Sequence, residues 1–113
     1  LEMSLVTNIV FSFSIGEHSR EIDGEYYYFL MDDINKWLSE RNYGKFGVDA
    51  DKISGGTKCL ETPLFVAAFN YFDIEDFLEF LSSLQWKEPE NVQVFVKGQE
   101  ENIFTLFRIR GVQ

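Results

Sequence analysis

The chain has one cysteine, Cys59, and one histidine, His18, in 113 residues. A single thiol excludes an intrachain disulfide, and one thiol with one imidazole cannot make a Cys/His zinc set. A reducing, cytoplasmic setting is the expectation from that scarcity. Base is also in short supply: ten Lys and Arg face nineteen Asp and Glu, a formal charge of −9 with a pI near 4.5. The basic residues are scattered singly, whereas a protein that neutralises phosphates clusters them, so nucleic acid is not an expected partner. A basic protein is, because a negative field steers association with cations. No apolar run approaches the ~20 residues of a bilayer span, and the opening "LEMSLVTNIVFSFS" lacks the basic region and cleavage site of a signal peptide. No membrane association is therefore expected.

The motifs that carry chemistry are missing too. "SGGTK" at 54 to 58 has the glycines and Lys of a phosphate loop, but Thr57 precedes Lys58 and the first glycine four residues upstream is absent. It reads as a hairpin turn leading into a strand. His18 and Cys59 stand apart, and no G-x-S-x-G is present, which leaves no nucleophile with a base. Asp49 and Asp51 could bind a hard cation or act as paired carboxylates, yet a third ligand is not visible and their alternation reads as the solvated face of a strand. Asp32 and Asp33, with Glu40 further along, are weaker still, because helix neighbours point ~100° apart. The run Tyr26, Tyr27, Tyr28, Phe29 could stack on a flat ligand, but acidic surroundings repel phosphates and helix packing accounts for it. The chain is expected to be no enzyme, with no cofactor and no metal.

What is abundant is core material. Hydrophobic residues make up 45%, and there are twelve Phe, too apolar for a disordered chain and enough for one buried core. One domain is expected over 3–111, with Met3 as the native start and Leu1 and Glu2 as a cloning remnant. Leu5, Ile9, Phe11 and Phe13 alternate as in a half-buried strand over 5–14. A loop follows, which Asp23 is expected to close by capping a helix over 25–41 with the stripe Tyr26, Phe29, Leu30, Ile34, Trp37, Leu38. "KFGVDADKI" and "KCLETPLFVAAFNYF" read as a hairpin of two strands, the second apolar on both faces from Leu64 to Phe72. Asp73 is placed to cap a second helix, with Asp76 three residues on and Ile74, Phe77, Leu78, Leu81 and Leu84 as its buried stripe. "VQVFVK" and "IFTLFRI" make the closing hairpin. The order β-α-β-β-α-β with an extra C-terminal strand predicts an α+β, ferredoxin-like domain, two helices covering one face of an antiparallel sheet. With so much Phe, the other face is expected to be partly apolar and available to a homodimer or a partner.

The second helix carries Asp73, Glu75, Asp76 and Glu79 with no Lys or Arg. Like-charge pairs such as Glu75 with Glu79 cost about 0.2 to 0.5 kcal/mol each. The helix N-terminus offsets this for all but Glu79. Glu88 and Glu90, then Glu100 and Glu101, extend the negative character, and these eight acids are the expected partner-binding residues. In size, charge and architecture the whole chain resembles the small acidic immunity proteins that bacteria make against their own secreted nuclease and pore toxins. That resemblance implies acids that pair with Lys and Arg of a toxin, often blocking a site meant for nucleic acid. The expected function is a non-enzymatic acidic binding protein that neutralises a basic protein, as an immunity or inhibitor protein. The alternatives are a small enzyme or ligand-binding domain with a pocket assembled from residues such as Asp49, Asp51, Tyr26 and Trp37, or a dimeric subunit or adaptor domain.

Overall fold

Residues 5–109 are described by a computed structural model of the chain; the expected start at Met3 and the last expected domain residues, 110–111, lie outside them. In chain order the elements are β1 (Val6–Ser12), β2 (Arg20–Ile22), β3 (Glu25–Tyr27), α1 (Phe29–Glu40), β4 (Leu64–Asn70), α2 (Ile74–Ser83), β5 (Gln93–Gly98) and β6 (Thr105–Phe107). Short 3-10 turns stand at Ile15–Glu17, Ala50–Lys52 and Pro89–Asn91. The fold is α+β, with a four-stranded sheet ordered β4-β1-β5-β6 and a separate β2-β3 ribbon.

The alternation of β1 decides the layering. Its inward residues Ile9 and Phe11 lie opposite Ala67 and Phe65 of β4 and opposite Val96 and Val94 of β5. Every pairing in the sheet is antiparallel. Since β4 and β5 both run against β1, they are parallel to each other, and α2 crosses between them with β1 inserted in the gap. Both helices bury their stripes on this inward face. Phe77 of α2 meets Phe11 at 6.2 Å between ring centroids, and Trp37 of α1 stacks on Phe80 of α2 at 4.9 Å. The outward face holds a row in which Val10 lies opposite Val66 and Phe95, and Phe95 opposite Leu106. Val66 and Leu106 are each 44% exposed.

Two expected elements are corrected. The helix starts at Phe29, not Glu25, because Asp23 and Gly24 form a hairpin turn, with φ of 52° and 80°, and send 25–27 back along 20–22. Two consecutive left-handed residues suit the twist of a two-residue hairpin, and Asp-Gly is a strong sequence signal for it. The strand expected over 45–53 does not form. Asp49 accepts the N–H of Asp51 at 3.3 Å and winds 50–52 into a 3-10 turn, a local bond that competes with strand pairing. Ahead of it the N–H of Phe46 donates to Asn35 Oδ1 at 3.0 Å. Gly47 makes one backbone bond to β4, donating to the Val66 carbonyl at 3.5 Å. Phe46 still serves the core, its ring 5.5 Å from Phe11 and 5.6 Å from Phe69.

A buried carboxylate stitches the loops at one end of the sheet. Glu17, 5% exposed, accepts the backbone N–H groups of Lys87 at 3.0 Å and Glu88 at 2.7 Å. Charge-assisted bonds of this kind are about twice as strong as neutral ones. In return the Glu88 carboxylate accepts from the Ser14 hydroxyl at 2.5 Å. At the other end Glu101 closes the turn after β5 by accepting the Gly98 N–H at 2.6 Å.

Phe77 is fully buried and touches rings from β1, α1 and the segment before β4. Phe77→Ala is expected to lower unfolding free energy by about 3 to 5 kcal/mol, read as a lower urea midpoint at unchanged slope.

Candidate binding cleft

Three segments without helix or long strand meet beside the end of β1: the turn and strand 24–28, the 3-10 turn with its cap at 49–52, and the chain at 59–62. Between them lies a cleft of about 450 Å³. Tyr28 forms its inner wall. As the last extended residue before α1, it is held by the core, its ring meeting Phe13 at 5.1 Å and Phe65 at 6.3 Å, both edge to face. The residue is 7% exposed. Among the described residues no hydrogen bond is made by its phenol, and since no buried polar side-chain atom is left wholly enclosed without a partner, the hydroxyl opens on the cleft.

The opposite wall is acidic. Asp49 is fixed by two backbone donors, accepting from Asp51 N and Leu64 N, each at 3.3 Å. Burial pushes its pKa up, and the same two N–H groups pull it partly back. Glu25, Asp51 and Glu61 complete the carboxylates, against the single ammonium of Lys52, which Glu25 binds at 2.5 Å. Burial first, and then the charges of Asp49 and Asp51, push the Tyr28 phenol from 10.0 up to about 12, so it keeps its proton at neutral pH. Tyr26, at the rim, has its ring 4.3 Å from that of His18. Among the described residues no three His, Cys, Asp or Glu side chains stand close enough to hold one metal ion.

No protein-family model matches the chain, and no curated protein or solved structure matches it either. The site therefore rests on its own geometry.

The eight acids singled out in the sequence fall in different places. Asp73 caps α2 by accepting the Asp76 N–H at 3.1 Å. Asp76 also pairs with Arg41 at 3.6 Å. Glu88 and Glu101 hold the loops described above. Glu75 and Glu79 line a shallow groove on α2 with Arg108, and Glu90 lines a second groove that also reaches Arg108. The Arg108 guanidinium donates to the carbonyls of Val92 and Glu90, which keeps it in place between the two. Glu100 is exposed in the turn after β5. Register divides the set. Asn70, just before α2, pairs with Val6, and Gly98 with Thr7, so Asp73 and the Glu100–Glu101 turn share one end of the sheet. Glu88 and Glu90 precede Gln93, which pairs with Ser12 at the opposite end.

The cleft lay outside those eight. Asp49 and Asp51 read as a solvated strand face, and Tyr26 and Tyr28 as helix packing; the Asp-Gly turn and the Asp49 cap together move all four to one cavity. Trp37, the other residue considered for a pocket, belongs to the core, with the Arg41 guanidinium over its ring at 4.0 Å.

A phenol whose folded pKa is raised contributes stability that is present below its ordinary value of 10.0 and is lost as pH rises through about 12. Urea midpoints are expected to fall across that window, and less so in Tyr28→Phe; identical alkaline profiles would contradict the burial of this hydroxyl.

Proposed function

We propose that the chain is a non-enzymatic binding protein that neutralises a basic protein partner, an immunity or inhibitor protein acting in the cytoplasm. Its scaffold reads as a ferredoxin-like frame whose second strand has given way to the capped turn at 49–52. One observation supports this most. Among the described residues there are two ion pairs, Arg41 with Asp76 and Lys52 with Glu25, in a chain with nineteen acids. Some of the remaining acids hold loops and caps, but the unpaired negative charge repels itself across the domain, and it raises the encounter rate with a positive surface. Glu75, Glu79, Glu90 and Glu100 have side chains that make no hydrogen bond or ion pair among the described residues, so they can meet Lys and Arg of a partner without losing a structural role. Asp73 and Glu101 accept backbone N–H groups, Asp76 pairs with Arg41, and Glu88 accepts from the Ser14 hydroxyl. Glu75, Glu79 and Glu90, whose grooves both reach Arg108, can cover a basic surface and thereby deny it to an acidic substrate.

The test is capture of partners from the source cell at low salt, with identification by mass spectrometry. A basic protein is expected, released as salt rises, because exposed charges are screened beyond ~8 Å at physiological ionic strength. Replacing Glu75, Asp76 and Glu79 together by Gln, Asn and Gln should slow its association roughly tenfold and leave dissociation nearly unchanged. An acidic partner, or binding indifferent to salt, would overturn the reading.

A further inference from the structure

We propose that the cleft under Tyr28 receives an arginine side chain of the partner, its guanidinium set between the Tyr28 hydroxyl and the carboxylates of Asp49 and Asp51. This deepens the reading above and rests on it for the identity of the donor as a protein. The observations that point to a ligand are separate from overall charge. Tyr28 is 7% exposed, and its phenol has no hydrogen-bond partner among the described residues while lining a cleft of about 450 Å³. The hydroxyl opens on the cleft without a protein partner, so within the cleft only water or a bound donor can meet its oxygen.

The chemistry of the walls selects the donor. The phenol is neutral at physiological pH and offers lone pairs, so it accepts from N–H, and the carboxylates accept only. The carboxylates therefore ask for a donor with positive charge, and the phenol oxygen can accept an N–H beside them while its own O–H remains free to donate. A single metal ion does not fit, because no three acidic or sulfur and nitrogen side chains converge among the described residues. Spread acceptors suit a spread donor: the guanidinium presents five N–H groups in a planar fork, whereas an ammonium concentrates its charge at one point. Lys52 does not supply that charge, since its ammonium is held by Glu25 on the rim at 2.5 Å. Ile15 and Leu60, which also line the cleft, give the methylene stem an apolar wall.

The probe is N-acetyl-L-arginine amide, titrated into the isotope-labelled full chain at low salt and followed by amide chemical shifts. Its neutral isostere, N-acetyl-L-citrulline amide, is titrated in parallel. Saturable shifts are expected at Gly24, Tyr26, Tyr28, Asp51 and Leu60, with the arginine compound bound at least about tenfold more tightly, the scale of a hydrogen bond to a charged group. Tyr28→Phe, which keeps the ring packed on Phe13 and Phe65, should weaken binding roughly tenfold, the scale of one hydrogen bond to a charged group. Asp49→Asn keeps an acceptor for Asp51 N and Leu64 N, and with Asp51→Asn it should weaken binding by about tenfold or more. Equal affinity for the two compounds, or shifts confined to α2, would overturn the cleft assignment. That failure is distinct from failure of the proposed function: a captured basic protein that ignores the cleft variants but responds to the α2 variants removes only the cleft, whereas an acidic captured protein removes the function.

Discussion

Phe11 stands near the C-terminal end of β1 with a neighbouring strand on each side, and the packing around its ring sets the rest of the molecule. Its centroid lies 5.3 Å from Phe13, 5.5 Å from Phe46 and 6.2 Å from both Phe77 and Trp86. Those partners come from the residue just past β1, the irregular chain before β4, α2 and the loop after α2. Edge-to-face and offset pairs of this kind add about 0.5 to 1.5 kcal/mol each beyond the area they bury. Phe13 carries the same network outward to Tyr28, Phe65 and Trp86. The inner wall of the cleft is thus an extension of the core. Its opening is made of loops, but its base is not free to move with them.

Acidic residues do two kinds of work in this frame. Some replace missing secondary structure: Glu17 ties the loop after β1 to the chain after α2, Asp49 winds the turn that stands where a strand was expected, and Asp73 and Glu101 terminate backbone runs. Each offers a carboxylate to backbone N–H groups, which stabilises it without any basic residue. The rest remain on the surface, where the scarcity of Lys and Arg leaves them uncompensated. The open face of the sheet contrasts with both, carrying Val10, Val66, Phe95 and Leu106 in one row and no acid within it. No helix among the described residues is long and apolar enough to cross a membrane.

Much of the fold could be read from periodicity. The alternation of Ile9, Phe11 and Phe13 and the stripe of Ile34, Trp37 and Leu38 correspond to a strand and a helix, and Asp73 caps the second helix as its position suggested. Reading failed where short-range bonds overrode pattern. Phe46, Val48 and Ala50 alternate like a strand, yet Asp49 and Asn35 capture the backbone donors there. Tyr26 fits the helical stripe, yet Asp23 and Gly24 turn the chain before the helix can begin. Both failures fall beside the cleft, which consequently had no signature of its own. The eight acids were visible as residues, but their division between the two ends of the sheet follows from strand register, which no local pattern carries.

Hydrogen–deuterium exchange on the chain, alone and with its captured partner bound, tests most directly whether charge at the cleft and along α2 makes the contact. The account predicts slowed exchange at 24–28, 49–52 and 59–62 together with the first turn of α2, and unchanged exchange in β4 and β6. Protection confined to β4 and β6, with the cleft segments exchanging as in the free chain, would contradict it and place the partner on the apolar face of the sheet.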